Sequence, residues 1–148
     1  MYVSARSDYA VRAMLAVADA GGDPGQPGSG GELVKAATLA ETQDIPLSFL
    51  QGILLDLRRA GLLHSHRGTE GGYALTRPAA EITVGDVLRA VGGALTTVRG
   101  LPAQDAGYHG VAAGLRDVWL AVDGAIGVVV DRTSLADLLV RRDHPASH

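Results

Sequence analysis

Residues 38–75 read TLAETQDIPLSFLQGILLDLRRAGLLHSHRGTEGGYAL, and this stretch decides the fold. It opens with Thr38 and Glu41 in a capping-box pattern, in which each side chain can bond the backbone N–H of the other residue. The pattern predicts a short helix over residues 39–43. Because the residue before a proline avoids the α-helical region, we expect Asp44-Ile45-Pro46 to end that helix.

A second helix is predicted over residues 47–60, where apolar residues recur at steps of three and four. Polar and basic residues fall on its other faces. Gly61 can adopt the left-handed conformation that commonly follows a helix, so the helix should end there. The apolar positions are Leu47, Leu50, Ile53, Leu54 and Leu57.

Two short strands are predicted next, over residues 62–67 and 73–76, with the glycine-rich tip GTEGG between them at residues 68–72. Two helices joined by a tight turn, followed by a hairpin with a basic base, are typical of a winged helix-turn-helix. That fold places its second helix in the major groove of DNA.

The helix and hairpin resemble the recognition helix and wing of the IscR/NsrR/CymR family of bacterial transcription regulators. The match is carried by LRRAGLL at residues 57–63 and by RGxxGGY at residues 67–73. Residues 4–14 resemble the family's first helix and residues 133–139 its last, so nearly the whole chain is covered. The resemblance implies a DNA-binding regulator of transcription.

Composition sets limits on this hypothesis. The chain has 148 residues, which suits one compact domain, and a net charge of −3, which argues against a generally basic surface. A nucleic-acid binder of this charge must concentrate its cations locally. The expected concentration consists of Arg58, Arg59, Arg67 and Arg77.

No targeting or membrane-spanning segment is visible in the sequence. The apolar residues 9–18 are interrupted by Arg12, and the apolar run 118–130 is too short to span a bilayer. We therefore expect a soluble cytoplasmic protein with no membrane partner.

The chain before the organising stretch is predicted to begin with a helix over residues 2–20, capped by Ser7. Its buried stripe should include Tyr9, Ala10, Ala13, Met14, Val17 and Ala18. The segment GGDPGQPGSGG at residues 21–31 cannot bury apolar area, so it is predicted to be a flexible insertion. Residues 32–37 should form a short strand that pairs with the wing.

The chain after the wing is predicted to be helical again. Thr83 and Asp86 resemble a capping box for a helix over residues 84–91, and Gly92-Gly93 should end it. An irregular loop is expected over residues 94–110, a long helix over 111–130, and a short last helix from Ser134 to residue 142, with a fraying tail after it. The predicted organisation is a DNA-binding domain over 1–92, a connecting loop over 93–110 and C-terminal helices over 111–142.

The long helix carries an apolar seam at steps of three and four, as in a coiled coil. A single helix extending from a small domain cannot bury such a seam alone, which predicts a homodimer. The seam residues are Leu115, Val118, Trp119, Val122, Ile126 and Val129. The predicted fold class is therefore mainly α: a winged helix-turn-helix with a small β-hairpin wing and a long C-terminal dimerisation helix.

The family resemblance places Ser48 and Gln51 where residues reach base edges. A glutamine amide can bond adenine in the major groove, and Arg67 at the wing base can enter a narrow minor groove. Helix N-termini and Tyr9 can donate to phosphates. The candidate DNA-binding residues are Tyr9, Thr38, Ser48, Gln51, Arg58, Arg59, Arg67 and Gly68.

Alternatives stay open for several of these residues. Arg58 and Arg59 lie at a helix C-terminus, where they can offset the helix dipole. Gln51 can be an ordinary solvated residue. Glu70 at the wing tip would repel phosphate, which argues against close contact there.

Cofactor chemistry is limited by the absence of cysteine. Iron–sulfur members of the family place cysteines in the loop that corresponds to residues 97–113, and one subgroup adds an acidic ligand that Asp8 matches. Without thiolates we expect no cofactor and interpret Asp8 as a carboxylate near the positive end of a helix. His64, His66 and His109 could bind zinc or nickel, against the alternative of solvated residues or pH-dependent DNA contacts.

No nucleophile–base–acid arrangement, phosphate loop or paired-carboxylate motif is visible, so the chain is not predicted to be an enzyme. The predicted function is a dimeric repressor that reads a pseudo-palindromic operator in double-stranded DNA. Because the CymR branch of the family works through a metabolic enzyme, the alternative is a regulatory protein-interaction module with weak DNA binding. The effector, whether a small molecule or an enzyme partner, is left open.

Overall fold

The computed structural model describes residues 1–25 and 32–143. Its α-helices are α1 (Ala5–Val17), α2 (Ala36–Gln43), α3 (Leu47–Arg59), α4 (Val84–Gly92), α5 (Leu115–Val130) and α6 (Leu135–Asp143). Two antiparallel hairpins pair β1 (Leu63–His66) with β2 (Gly72–Leu75) and β3 (Thr97–Val98) with β4 (Leu101–Pro102). The predicted fold class is confirmed, because α2, α3 and the β1–β2 wing form a winged helix-turn-helix within a mainly helical chain.

The core lies where α1, α3 and α4 pack together. From α1 come Ala10, Ala13, Met14 and Val17, all fully buried, and the two alanines let neighbouring helices approach closely. The apolar stripe of α3 is buried as predicted over Leu50, Ile53, Leu54 and Leu57. Burying one such side chain contributes about 1.5–3 kcal/mol, so this stripe fixes α3 against α1.

The predicted start of α1 is wrong. The Ser7 N–H donates to the Ser4 Oγ at 3.1 Å, so Ser4 is the N-cap and Ser7 lies inside the first turn. The helix begins at Ala5, and Ala18–Gly22 extend it as a π-helical turn in which Gly21 has φ 102°.

The capping box predicted at Thr38 and Glu41 is also wrong. The helix α2 begins two residues earlier, at Ala36, with Lys35 as an N-cap that makes no side-chain bond. The cause is tertiary: Val34 exchanges two backbone hydrogen bonds of 2.8 Å with Tyr73 in the wing. The strand predicted over residues 32–37 is reduced to this single bridge, because α2 starts directly after it.

The end of α2 and the start of α3 agree with the sequence prediction. Asp44 adopts the left-handed conformation with φ 52°, and Pro46 is the N-cap of α3. At the far end of α3, Gly61 has φ 78°, which is the left-handed stop that was expected. Leu47, however, is 43% exposed, so its predicted place in the buried stripe is wrong: as the first residue of α3 it precedes the turns that face α1.

Part of the predicted insertion is described. Asp23 is 3% exposed, and its Oδ1 accepts from the Ala79 N–H at 3.0 Å and the Gly25 N–H at 2.8 Å. This carboxylate fixes the segment to the turn after the wing, which composition did not indicate. Residues 26–31 of the insertion, and residues 144–148 of the predicted fraying tail, lie outside the described residues.

The C-terminal part differs from the prediction mainly in where α5 begins. The capping box of Thr83 and Asp86 is present at the start of α4. The expected irregular loop contains the short β3–β4 hairpin and a 3-10 turn at Ala103–Asp105. A second 3-10 turn at Gly110–Ala112 delays the start of α5 from residue 111 to Leu115, because the glycines at 110 and 114 favour turns over helix.

Candidate nucleic-acid interface

The solvent-facing side of α3 carries the residues that sequence analysis assigned to base edges. Ser48 and Gln51 are both exposed, one helical step apart on the first turns of α3 and opposite its buried stripe. Thr38 is exposed in the first turn of α2. These three polar side chains are therefore available to a ligand that approaches the helix-turn-helix from outside.

Phe49 is a further exposed residue of α3 that sequence analysis did not single out. It is 54% exposed, and its ring meets the half-buried Tyr9 ring edge-on, with centroids 6.3 Å apart. An apolar residue that falls off the buried stripe, among polar positions, was the signal that could have identified it. Apolar side chains on a helix in the major groove can contact thymine methyl groups, so Phe49 belongs to the candidate interface.

Tyr9 is held by its neighbours on two sides. The Arg12 guanidinium lies 5.3 Å from the centre of the Tyr9 ring, bonds Asp8 at 3.2 Å and donates to the Gln43 carbonyl oxygen at the end of α2. Asp8 is thus paired with Arg12 one helical turn away, in agreement with its interpretation as a helix-start carboxylate. These contacts join α1 and α2 beside the exposed face of α3.

A second ion pair fixes the orientation of α3 itself. The Arg6 guanidinium in α1 donates to the Asp56 carboxylate in α3, and both side chains are about one-third exposed. The partners are 50 residues apart in the sequence, which is why no local pattern indicated them.

The basic residues at the wing base divide into two groups. Arg58, Arg59 and Arg67 are exposed, and the Arg58 guanidinium donates to the Ser65 Oγ of β1 at 3.4 Å. Arg58 therefore bridges α3 and the wing, beyond any effect on the helix dipole. Arg77 differs, because it bonds the Asp86 carboxylate and the Glu81 carbonyl oxygen, each at 3.3 Å, so its predicted place in the free cationic cluster is wrong.

Glycines shape the wing. Gly68 has φ 107°, a conformation that other residues adopt only with strain, and it begins the tip that follows Arg67. Gly68 is exposed, as is Glu70 on the tip itself.

The histidines of the wing form a pair without a third ligand. His64 and His66 lie on the same face of β1, with ring centres 5.6 Å apart. Over residues 1–25 and 32–143, no three His, Asp or Glu side chains converge in a way that could hold a metal ion. His109 lies elsewhere, before the 3-10 turn at Gly110–Ala112, so the structure does not bring the three histidines together as a site.

The loop that corresponds to the family's cluster site does not fit an iron–sulfur cluster. The sequence has no thiolate to offer, and the loop is instead held to α5 by side chains. The Trp119 Nε1 donates to the Tyr108 hydroxyl at 2.8 Å, and the Arg116 Nη2 donates to the Gln104 carbonyl oxygen at 2.8 Å. The Arg99 guanidinium lies 5.3 Å from the centre of the Tyr108 ring.

The predicted dimer seam of α5 is largely uncovered. Leu115, Val118, Val122 and Val129 are 37%, 51%, 37% and 65% exposed. Trp119 and Ile126 are half-buried, against the loop and neighbouring helices of the same chain. Within the described residues, no helix is both long and apolar enough to cross a membrane.

Comparison with known proteins places these features in a family. The model of the Rrf2 family, described as an iron-dependent transcriptional regulator, matches residues 3–141. Rv1287 of Mycobacterium tuberculosis, which is named as an HTH-type transcriptional regulator, is 44% identical over 138 residues, covering 93% of this chain and 81% of the relative. The regulator IscR of Cereibacter sphaeroides is 32% identical over 151 residues, with coverage of 98% and 91%.

Solved structures agree with the sequence matches. IscR of T. potens superposes with a TM-score of 0.73 at 30% identity, covering 100% of this chain and 93% of that one. CymR of B. subtilis, named as its global cysteine regulator, superposes with a TM-score of 0.71 at 26% identity, with coverage of 93% and 95%.

Proposed function

The chain belongs to the Rrf2 family of transcriptional regulators, and we propose that it is a homodimeric repressor that reads a pseudo-palindromic operator in double-stranded DNA. Its place of action is the cytoplasm, where bacterial DNA lies. It carries out this function without a cysteine-bound iron–sulfur cluster, since the chain has no cysteine.

One observation carries the proposal: the face of α3 opposite the core is exposed and polar. Ser48 and Gln51 project from a helix of 13 residues that Leu50, Ile53 and Leu54 fix against the rest of the domain. A rigid helix with amide and hydroxyl groups on its free face suits the major groove, which admits an α-helix and presents distinct donors and acceptors for each base pair.

The wing supports the same docking. Arg67 and Gly68 are exposed at the start of the wing tip, and Arg58 lies where α3 meets β1. Cations on both sides of a groove-bound helix can contact the phosphate backbone, which positions a protein on the duplex without reading its sequence. This concentration of charge lets a chain of net charge −3 bind a polyanion.

The exposed seam of α5 supports a dimer. A second copy that covered Val118, Val122 and Val129 would remove their apolar surface from water. A two-fold dimer presents two copies of α3, so its operator should contain inverted half-sites about one helical turn apart.

The alternative of an interaction module with weak DNA binding is not favoured, because the matched relatives are named as transcriptional regulators. Selection of tight-binding duplexes from a random-sequence pool tests the proposal directly. We expect enrichment of an inverted repeat that binds at least a hundredfold more tightly than its scrambled version, in the range of specific over non-specific DNA binding. A pool that yields no repeat, together with equal affinity for scrambled DNA, would rule out a sequence-specific regulator.

A further inference from the structure

An open depression of about 450 Å3 lies between the start of α2 and the wing. Lys35 and Ala36 form one side of it, Arg58 lies at its α3 end, and His66, Arg67 and the glycine pair Gly71-Gly72 form the wing side. We call it the wing depression. It brings together residues from three separate parts of the sequence.

Backbone packing creates the wing depression. Val34 and Tyr73 exchange hydrogen bonds of 2.8 Å, which brings the segment before α2 directly against β2. This approach depends on glycine, because a Cβ on Gly72 would lie 2.7 Å from the Val34 carbonyl oxygen. A Cβ on Gly71 would lie 2.2 Å from the His66 carbonyl oxygen. The two glycines therefore place Lys35 on the edge of the same depression as His66.

The charge of the wing depression is strongly biased. Lys35, Arg58 and Arg67 line it, and no Asp or Glu is among the described residues that do. Lys35 is the only lysine of the chain. The depression lies at the N-terminus of α2, where Lys35 makes no side-chain capping bond and the helix dipole adds positive potential.

We propose that the wing depression binds a phosphate of the DNA backbone, with Lys35 as a fixed cation and His66 as a cation that gains its proton on binding. This inference rests on the proposed function, because the wing and α3 must lie on DNA for a phosphate to reach the depression. It adds two contacts, Lys35 and His66, to the candidate DNA-binding residues. It also makes DNA affinity depend on pH.

The direction of the pH effect follows from charge. An imidazole changes charge between about pH 5 and pH 8, whereas a phosphodiester stays anionic over that range. A nearby anion favours the protonated imidazole, so DNA binding takes up a proton and affinity rises as pH falls. The groups that face His66 are the cations Lys35, Arg58 and Arg67, which keep their charge in this range, and Tyr73 and His64. Of these, only His64 titrates alongside it.

The test is a salt titration of binding to a mixed-sequence duplex at about pH 6 and about pH 8, the range in which an imidazole titrates. For the wild-type dimer we expect affinity to be roughly tenfold tighter at the lower pH, the linkage expected if each of two histidines takes up about half a proton per pH unit. His66→Gln should bind equally at both pH values. Lys35→Gln should make the salt dependence shallower at both, by about 0.9 per lost phosphate contact.

Three controls make the result specific. His64→Gln removes the neighbouring imidazole and should keep the wild-type pH dependence. Arg132→Gln removes one positive charge from the exposed turn after α5 and should keep the wild-type salt slope. Histidine NMR resonances with inorganic phosphate alone distinguish a free-anion pocket from a DNA contact, and we expect them to shift far less than with the duplex.

Several outcomes would overturn the inference. His66→Gln that keeps the wild-type pH dependence, or Lys35→Gln that keeps the wild-type salt slope, would remove the wing depression from the interface. Equal NMR shifts with inorganic phosphate and with the duplex would assign it to free anions. If the wild type binds no duplex at either pH, the proposed function fails and this inference fails with it; if it binds with no dependence on pH, only this inference fails.

Discussion

The Arg89 guanidinium in α4 donates to both carboxylate oxygens of Asp131, at 2.6 and 2.9 Å, and thereby joins the winged-helix part to the residue after α5. The hydrogen bond to Arg89 lowers the pKa of Asp131, and the same bond raises the pKa of Arg89. Backbone bonds lie beside the pair, from the Val84 N–H to the Thr133 carbonyl oxygen at 2.9 Å and from the Leu135 N–H to Ile82 at 2.9 Å. This junction sets how the DNA-binding helices sit relative to α5.

Replacement of Asp131 tests the contribution of this ion pair. Both side chains are more than one-third exposed, so Asp131→Asn should lower the free energy of unfolding by only about 1 kcal/mol or less near pH 7. Because the pKa of Asp131 is lowered in the fold, the pair stabilises above the ordinary carboxyl pKa of about 3.9 and is lost as pH falls through the lowered value. Urea unfolding at neutral and acid pH measures both effects. A deficit that stays constant as pH is lowered below about 4 would contradict this assignment.

Gly85 tests the same junction from the other side. It is buried, and a Cβ there would lie 1.9 Å from the Asp131 Oδ1 and 2.9 Å from the Arg89 Nη1. Gly85→Ala should therefore displace the Asp131 carboxylate and destabilise the fold, whereas the cost should fall by about 0.5–1 kcal/mol when Asp131 is already alanine. Gly124→Ala is the matched control, because nothing lies within 4 Å of a Cβ there and helix propensity favours alanine. Strict additivity in the double variant would show that the two positions are independent.

Local patterns predicted the elements that local chemistry determines. The stripe of α3, its stop at Gly61 and the capping box at Thr83 all depend on residues within one or two helical turns of each other. The start of α2 could not be predicted in this way, because the bridge between Val34 and Tyr73 decides it and the capping pattern at Thr38 is not used.

The site was predictable in its residues but less so in its contacts. The exposure of Ser48 and Gln51 follows from the helical period. By contrast, the ion pairs that orient the helices join residues 50 apart, as for Arg6 and Asp56, or 42 apart, as for Arg89 and Asp131. Distant partners of this kind leave no periodic signal in a single sequence.

Dimerisation through α5 is tested with two valine substitutions. Val122→Asp places a charge in the centre of the predicted seam, where burial of an unpaired ion costs several kcal/mol, so it should yield a monomer. Val128→Asp is the matched control: Val128 is 50% exposed and lies off the seam, so the dimer should persist. Multi-angle light scattering gives the mass of each variant. A wild type that is monomeric at high concentration would refute the dimer, and dissociation by both variants would refute this seam.

Iron content tests whether the chain carries a cluster. Because thiolates are the usual cluster ligands and the chain has no cysteine, protein purified without oxygen should be colourless and free of stoichiometric iron. Metal analysis and visible absorption measure this, and Asp8→Ala should match the wild type in both. A visible band that scales with protein and is lost in Asp8→Ala would instead assign Asp8 as a ligand.

Gln51 and Arg67 should contribute to DNA binding in different ways. Gln51→Ala should relax the preference for one base pair in each half-site, costing about 1–3 kcal/mol there. Arg67→Ala should weaken operator and scrambled DNA alike and lower the salt slope by about one per phosphate contact, or lose most on A·T-rich flanks if Arg67 enters a minor groove. Gln104→Ala and Arg132→Ala are matched controls, since both residues are exposed outside the winged helix.

The most direct test of DNA binding by α3 and the wing is a salt titration of the wild type and these four variants, each on the selected operator and on its scrambled duplex. We expect Gln51→Ala to lose affinity on the operator alone, Arg67→Ala to lose affinity on both duplexes, and the two controls to match the wild type. Unchanged affinity of Gln51→Ala and Arg67→Ala on both duplexes would contradict the proposed docking.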